Sequence, residues 1–277
     1  MPSRRGKRSN PDRSLLLADA PARPHTRRGA PRGDTIMIRR FLAAGALALM
    51  PALAQAGDFS EFRPIGFSNH GGVFAFEEFG TQDGSGFAYA NRYYIDTTTD
   101  SYLPGTPIRV TLEDGTTNVN DARAEAAAQA ASIEQTSGAA DDPGIFAAFQ
   151  PATEKSSDGF FLRYQSFAIE PFPGGAWSVE LTEKTLDPSS NCTAFDRADK
   201  GFRLEMKETN GTPRSIVLHD DTSIPNSRRC PISYRIAGAM THANPDGSTT
   251  HAILVLVRSI GFEGPDGRFI AVTRRID

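Results

Sequence analysis

Hydrophobic and polar positions alternate in two stretches that frame most of the chain. Residues 66–96 read GFSNHGGVFAFEEFGTQDGSGFAYANRYYID. Val73, Ala75 and Glu77 alternate there with Phe74, Phe76 and Glu78, and a second alternating run covers 87–95 after a Gly-rich turn. A period of two is the mark of a strand, because successive side chains leave opposite faces of a sheet. A shorter echo, GFEGPDGRFIAV, lies at 261–272, where Gly261-Phe262, Gly267 and Phe269 repeat the spacing of Gly66-Phe67, Gly72 and Phe74.

Taken in order, 57–64 is a short lead-in, and strands are predicted at 73–79, 87–96 and 107–113, where Tyr, Phe, Val, Ile and Thr dominate. The pattern then changes to a helix over 121–135. Asn118 or Asn120 can cap its first turn, and Gly138 is a natural stop. Ala122, Ala126, Ala130 and Ile133 share one stripe, so small a face that the helix should lie close on a sheet or pack as an insertion. Further strands are expected at 145–149, 159–169 and 176–185, the last carrying the sole Trp, Trp177, as a core residue.

Two hairpins follow. In 202–218 Asn210-Gly211 suits a type I′ turn, with Phe202, Leu204 and Met206 on a buried face and Arg203, Glu205 and Lys207 on a wet one. In 232–260 the turn is Asn244-Pro245-Asp246-Gly247, and the arms are apolar on both faces, which calls for central strands covered on both sides. A last strand spans 268–274. About eleven strands and one helix result. They predict a mainly β fold: a single antiparallel domain, as a two-sheet sandwich or partly closed barrel, with one inserted Ala-rich helix. An incomplete β-propeller is the alternative, short of the roughly sixteen strands that four blades need.

Composition divides the chain. Residues 1–36 are rich in Arg, Pro, Gly and Ser without apolar periodicity, and read as a disordered basic extension. Residues 37–56 carry a secretory signal pattern: Arg39 and Arg40, an apolar run over 41–50, and Ala54-Gln55-Ala56 as the cleavage motif. That run is shorter than the roughly 20 residues a spanning helix needs, and Pro51 interrupts it. The expectation is cleavage after Ala56, with Met37 as the start and 1–36 an over-extended gene model; a long basic leader is the rival. Residues 57–277 are then an all-β secreted domain, periplasmic or released, and not an integral membrane protein after cleavage.

Charge changes with that division. The whole chain stands at −3, with 30 basic and 33 acidic residues. Removing the 11 basic and 3 acidic residues of 1–56 leaves 19 and 30, a net of −11. Such a surface repels nucleic acid. Both cysteines, Cys192 and Cys230, fall in the secreted part, and an even count outside the cytosol favours one disulfide, worth about 3–4 kcal/mol in the chain-entropy model.

The motif GFS..G..FAFEE.G.QDGSGF.YA at 66–90, with GFEGPD.RFIAV at 261–272, resembles a bacterial family of predicted secreted proteins, domain of unknown function 2259. The resemblance implies export and carries no reaction, cofactor or site residues.

Candidate chemistry is sparse. Glu77, Glu78, Asp83 and Ser85 surround the Gly-rich turn and could offer oxygens to Ca²⁺. Calcium wants six to eight such ligands, and alternation sends Glu77 and Glu78 to opposite faces. His242 and His251 flank the 244–247 turn as a conceivable zinc pair, but a three-residue loop with a bulge would set His242 opposite Thr250 and His251 opposite Thr241, separating the rings. Phe87, Tyr89, Tyr93 and Tyr94 could line a ligand groove or pack as core. No nucleophile elbow, Walker loop or dinucleotide fingerprint occurs. No catalytic residue, metal site or cofactor is assigned. The leading expectation is a non-catalytic secreted or periplasmic β domain binding a protein or cell-envelope ligand. The alternatives are a cell-envelope hydrolase using the acids near the Gly-rich turn, or a purely structural envelope protein.

Overall fold

Two strands that are apolar on both faces dictate the layering. A computed structural model describes residues 57–169, 174–187 and 190–277. The basic extension, the signal segment and part of the 171–175 connection lie outside them. Strands β1 (Glu61–Phe67), β2 (Val73–Thr81), β3 (Ala88–Asp96), β4 (Ser101–Tyr102) and β5 (Ile108–Leu112) precede helix α1 (Val119–Ser137). Strands β6 (Ile145–Phe149), β7 (Phe161–Tyr164) and β8 (Trp177–Leu186) follow, then a helical turn, Ser190–Thr193. Strands β9 (Asp199–Thr209), β10 (Thr212–Asp220), β11 (Pro231–Ala243), β12 (Thr249–Ile260) and β13 (Pro265–Ile276) complete the chain.

Every described ladder is antiparallel, and the strands form three open sheets. The first has the order β1-β2-β3-β4, with β5 also on β3; the middle sheet is β13-β12-β11-β6; the third is β10-β9-β8-β7. No described sheet closes into a barrel, and sheet-on-sheet packing is the architecture. It holds three sheets where a two-sheet form was expected. The apolar double face of the second hairpin explains the extra layer: Ile236, Ala239, Ile253, Val255 and Val257 pack with Leu181, Phe202 and Leu204 of the third sheet. Ala237, Met240, Ala252, Leu254 and Leu256 pack with Phe67, Phe74 and Phe76 of the first. A register shift between Ile236 and Gly238 lets neighbouring residues keep the correct sides. Gly238 is needed there, because a Cβ at this position would stand 2.5 Å from the Ala148 carbonyl oxygen of β6.

The far side of the first sheet carries α1. Asn118 accepts from the N–H groups of Asn120 and Asp121, while Asp121 accepts from the Asn118 N–H, a reciprocal cap. Gly138 ends the helix at φ 65°. Ala122 and Ala126 pack on Ala88, Ala90 and Val110, and Ala130 on Ala75 and Tyr94, so the small stripe does bring the helix close to a sheet. The 209–212 turn puts Asn210 and Gly211 at positive φ, as its sequence demands.

Some elements differ from expectation. The lead-in before Pro64 is the start of β1, an edge strand with a bulge between Pro64 and Gly66, which is where a sheet tolerates a residue lacking its N–H. The strand expected over 159–169 shrinks to Phe161–Tyr164, because only these four residues find partners on β8.

Cys192 and Cys230 are joined, both buried, tying the helical turn between β8 and β9 to the entry of β11. Replacing both by Ser is expected to lower the unfolding free energy by about 3–4 kcal/mol. Urea melts of the wild type and double variant measure this; equal midpoints would mean the crosslink constrains nothing.

Candidate functional site

Strand alternation in the first sheet sorts its polar residues between two environments. On β2, Glu77 points to the helix, where its Oε2 accepts from Arg123 Nη2 at 2.9 Å and Arg92 Nε stands 3.5 Å from its Oε1. Arg92 also pairs with Glu134 of α1, which accepts from the Tyr94 hydroxyl. The helix is thus docked by a partly buried ion network as well as by alanines.

Glu78 points the other way, toward a cavity of about 550 Å³ between the first sheet, β13 and the 219–229 segment. Its Oε1 accepts from Tyr93 Oη at 2.6 Å and Asn91 Nδ2 at 3.1 Å; its Oε2 accepts from Ser60 Oγ at 3.2 Å and the Phe269 N–H at 3.0 Å. Three donors are committed to this carboxylate, which is 1% exposed, and the Ser60 hydroxyl is shared between it and the Gly267 carbonyl at 3.0 Å. Along β3 the same parity brings Tyr89, Asn91, Tyr93 and Ile95 to the cavity, and β4 adds Tyr102. The Tyr93 ring stacks on Phe76 with centroids 4.5 Å apart and meets Tyr102 at 5.9 Å. Tyr89 donates to Asp58 at 2.9 Å, and the Arg268 guanidinium, itself paired with Asp58, lies 4.7 Å from the Tyr89 ring centre. Burial raises the phenols of Tyr89 and Tyr93 well above their ordinary value, so both act as donors. Burial also holds the Asp100 carboxyl above its usual range, against the two hydrogen bonds it accepts from Thr273.

The residues singled out in sequence therefore part company. Glu78, Tyr89 and Tyr93 line the cavity. Glu77 and Tyr94 serve the helix. Asp83 accepts from the Glu263 N–H, and Ser85 donates to Gln82 within the exposed Gly-rich turn, so these two are not beside Glu77 or joined to Glu78. Phe87 is half-buried, its N–H bonded to Ser85. The register of the second hairpin sets Thr241 against His251 and His242 against Thr250, sending the two rings to opposite faces. His242 bonds Asn244 and packs on Phe67; His251 meets Tyr164 and Trp177. Among the described residues no three His, Cys, Asp or Glu side chains converge as metal ligands.

Sequence reasoning missed Tyr102, Asp100, Arg109, His219, Arg228 and Arg229, which complete the lining. The parity of β3 was a usable signal for separating Tyr93 from Tyr94. The pairing of β5 with β3, which sets Arg109 opposite Asn91, left no local mark.

The fold and cavity define an antiparallel β protein of three packed sheets, with one internal face partly filled by polar-tipped aromatics. No described helix is long and apolar enough to cross a membrane. The chain belongs to the family described as Predicted secreted protein (DUF2259), whose model matches residues 75–275, from β2 to the end of β13. No curated protein and no solved structure matches the chain.

His251 generates a pH prediction. It is fully buried, its Nδ1 is 3.0 Å from Tyr164 Oη, and its Nε2 has no partner among the described residues. Burial pulls its imidazole down to about 3, against about 6.5 in an unfolded chain. The unfolded state therefore binds the proton first. Stability from this group is complete above about pH 6.5 and falls as pH drops toward 3, by about 2 kcal/mol at pH 5. Urea unfolding at pH 7.5 and 5 should show that loss, and His251→Leu should remove it; an unchanged pH dependence in the variant would assign the acid sensitivity elsewhere.

Proposed function

We propose that residues 57–277 form an exported, periplasmic, non-catalytic domain that binds a cell-envelope ligand in the cavity between the first and middle sheets. The observation that carries this reading is the lining. Its size suits a small-molecule site. Tyr93, Tyr102 and Phe269 give it aromatic faces, and Tyr102 remains 45% exposed at its edge. Export is supported by the signal pattern at 37–56, the family's description and the buried disulfide. The absence of a reaction is supported by the engaged state of Glu78, one oxygen of which accepts from Tyr93 and Asn91 and the other from the Phe269 N–H, with the Ser60 hydroxyl shared between it and the Gly267 carbonyl.

A hydrolase is the second reading, favoured by one observation: Asp100 lines the same cavity as Glu78, and burial raises it in the sense a general acid requires. A shared cleft with two carboxyls is the arrangement glycosidases use.

Thermal melts with peptidoglycan fragments and lipopolysaccharide core sugars separate these cases. A ligand at 100 times its Kd should stabilise the wild type by about 2.7 kcal/mol, a shift of a few degrees. The shift should vanish in Tyr102→Ala. No shift with any fragment at millimolar concentration, or an equal shift in the variant, would remove the cavity from the account. Fragment cleavage seen by mass spectrometry and lost in Asp100→Asn would select the hydrolase.

A further inference from the structure

The charged groups of the cavity are unevenly paired. Glu78 takes donors from Tyr93, Asn91 and the Phe269 N–H, with the Ser60 hydroxyl shared between it and the Gly267 carbonyl, and Asp100 takes two donors on Oδ1. The acids behind the wall are occupied as well: Asp221 by His219 and Arg228, Asp58 by Tyr89 and Arg268, Asp266 by Arg229. Three of the four lining guanidiniums, Arg228, Arg229 and Arg268, thus face a carboxylate of their own.

Arg109 is the exception. It lies on β5 directly opposite Asn91, on the face that also presents Tyr89 and Tyr93. It is exposed and makes no ion pair or hydrogen bond among the described residues. It lines the same cavity as Tyr93 and Tyr102, whose rings are 5.9 Å apart, and its positive charge opposes the rise of both phenols. An arginine offers five donors and no acceptor. The cavity therefore presents one unpaired guanidinium, with its donors unspent, on the wall that also carries an exposed ring.

We propose that the cavity selects an anionic sugar, a sugar acid or sugar phosphate whose anion seats on Arg109 and whose ring face lies on Tyr102. The proposal rests on the cavity-binding reading above and adds the ligand's charge. A bidentate guanidinium contact is the strongest polar interaction the site can still form. The net −11 of the secreted part opposes anions at long range, but salt screens that field beyond about 8 Å, and at contact the unpaired guanidinium dominates.

Isothermal titration compares matched probes: oligogalacturonate against neutral galactose oligomers of equal length, and glucose 6-phosphate against glucose. The acidic member of at least one pair should bind about tenfold tighter, and which pair does so distinguishes a carboxylate from a phosphate source. Arg109→Ala should lose about that factor for the acidic probe and leave the neutral probe unchanged. Arg109→Lys should recover part of it, and added salt should weaken only the acidic probe. If acidic and neutral probes bind alike, or Arg109→Ala changes nothing while Tyr102→Ala weakens both, the charge preference is wrong and the cavity reading survives. If neither member of either pair binds, the anionic-sugar proposal falls, and the cavity reading falls with it only if the envelope fragments also leave the melt unshifted.

Discussion

The β11–β12 hairpin is buried on both faces, and the other layers exist to cover it. Ile253, Val255, Ala252 and Leu254 are all fully buried, yet alternate between two different cores. An apolar ribbon of this kind cannot face water on either side. At roughly 25 cal/mol per Å² of apolar surface, leaving either face bare would forfeit several kcal/mol for each pair of large side chains. One covering sheet is insufficient, so the chain supplies two, and the helix then covers the outer face of the first.

This stacking leads to the cavity. The first sheet spends its inner face on two tasks. Phe67, Phe74 and Phe76 fill the contact with the middle sheet, while Tyr89, Asn91 and Tyr93 carry polar tips that must find partners. Those tips gather Asp58, Ser60 and Glu78 into one network, and groups held by such a network cannot collapse into an apolar contact. The space that remains is walled by tyrosines and arginines. Most of its charged groups are held by protein partners, Arg109 excepted, so the lining is largely preorganised.

Much of this was legible in the residues. Alternation at 73–79 and 87–96 located β2 and β3, the Asn210-Gly211 and 244–247 turns fixed both long hairpins, and the caps located α1. The double apolar face of β11 and β12 even implied covering on both sides. It did not say that the two covers were separate sheets, because nothing local assigns β1–β5 and β7–β10 to opposite sides of the ribbon, nor does IFAAF encode the pairing that carries β6 to β11 across some ninety residues of chain. Pro64 hid β1, since proline argues against a strand unless the strand is known to be an edge. The site was half legible. Glu78, Tyr89 and Tyr93 stood in an alternating stretch, whereas Arg109 joins them only through the pairing of β5 with β3, and Tyr102 through a two-residue strand too short to show an alternation. Alternation put Glu77 and Glu78 on opposite faces, as the structure has them, but did not say which face held the cavity.

Native-state hydrogen exchange tests the central claim most directly. If the doubly covered hairpin is the structure's organising element, the amides of Ile236, Ala239, Ile253 and Val255 should exchange only through global unfolding, with the full denaturant dependence of that transition. The β9–β10 hairpin, covered on one face, should open at lower free energy. Exchange at β11 and β12 as fast as at β10, or by a small local opening, would contradict the account.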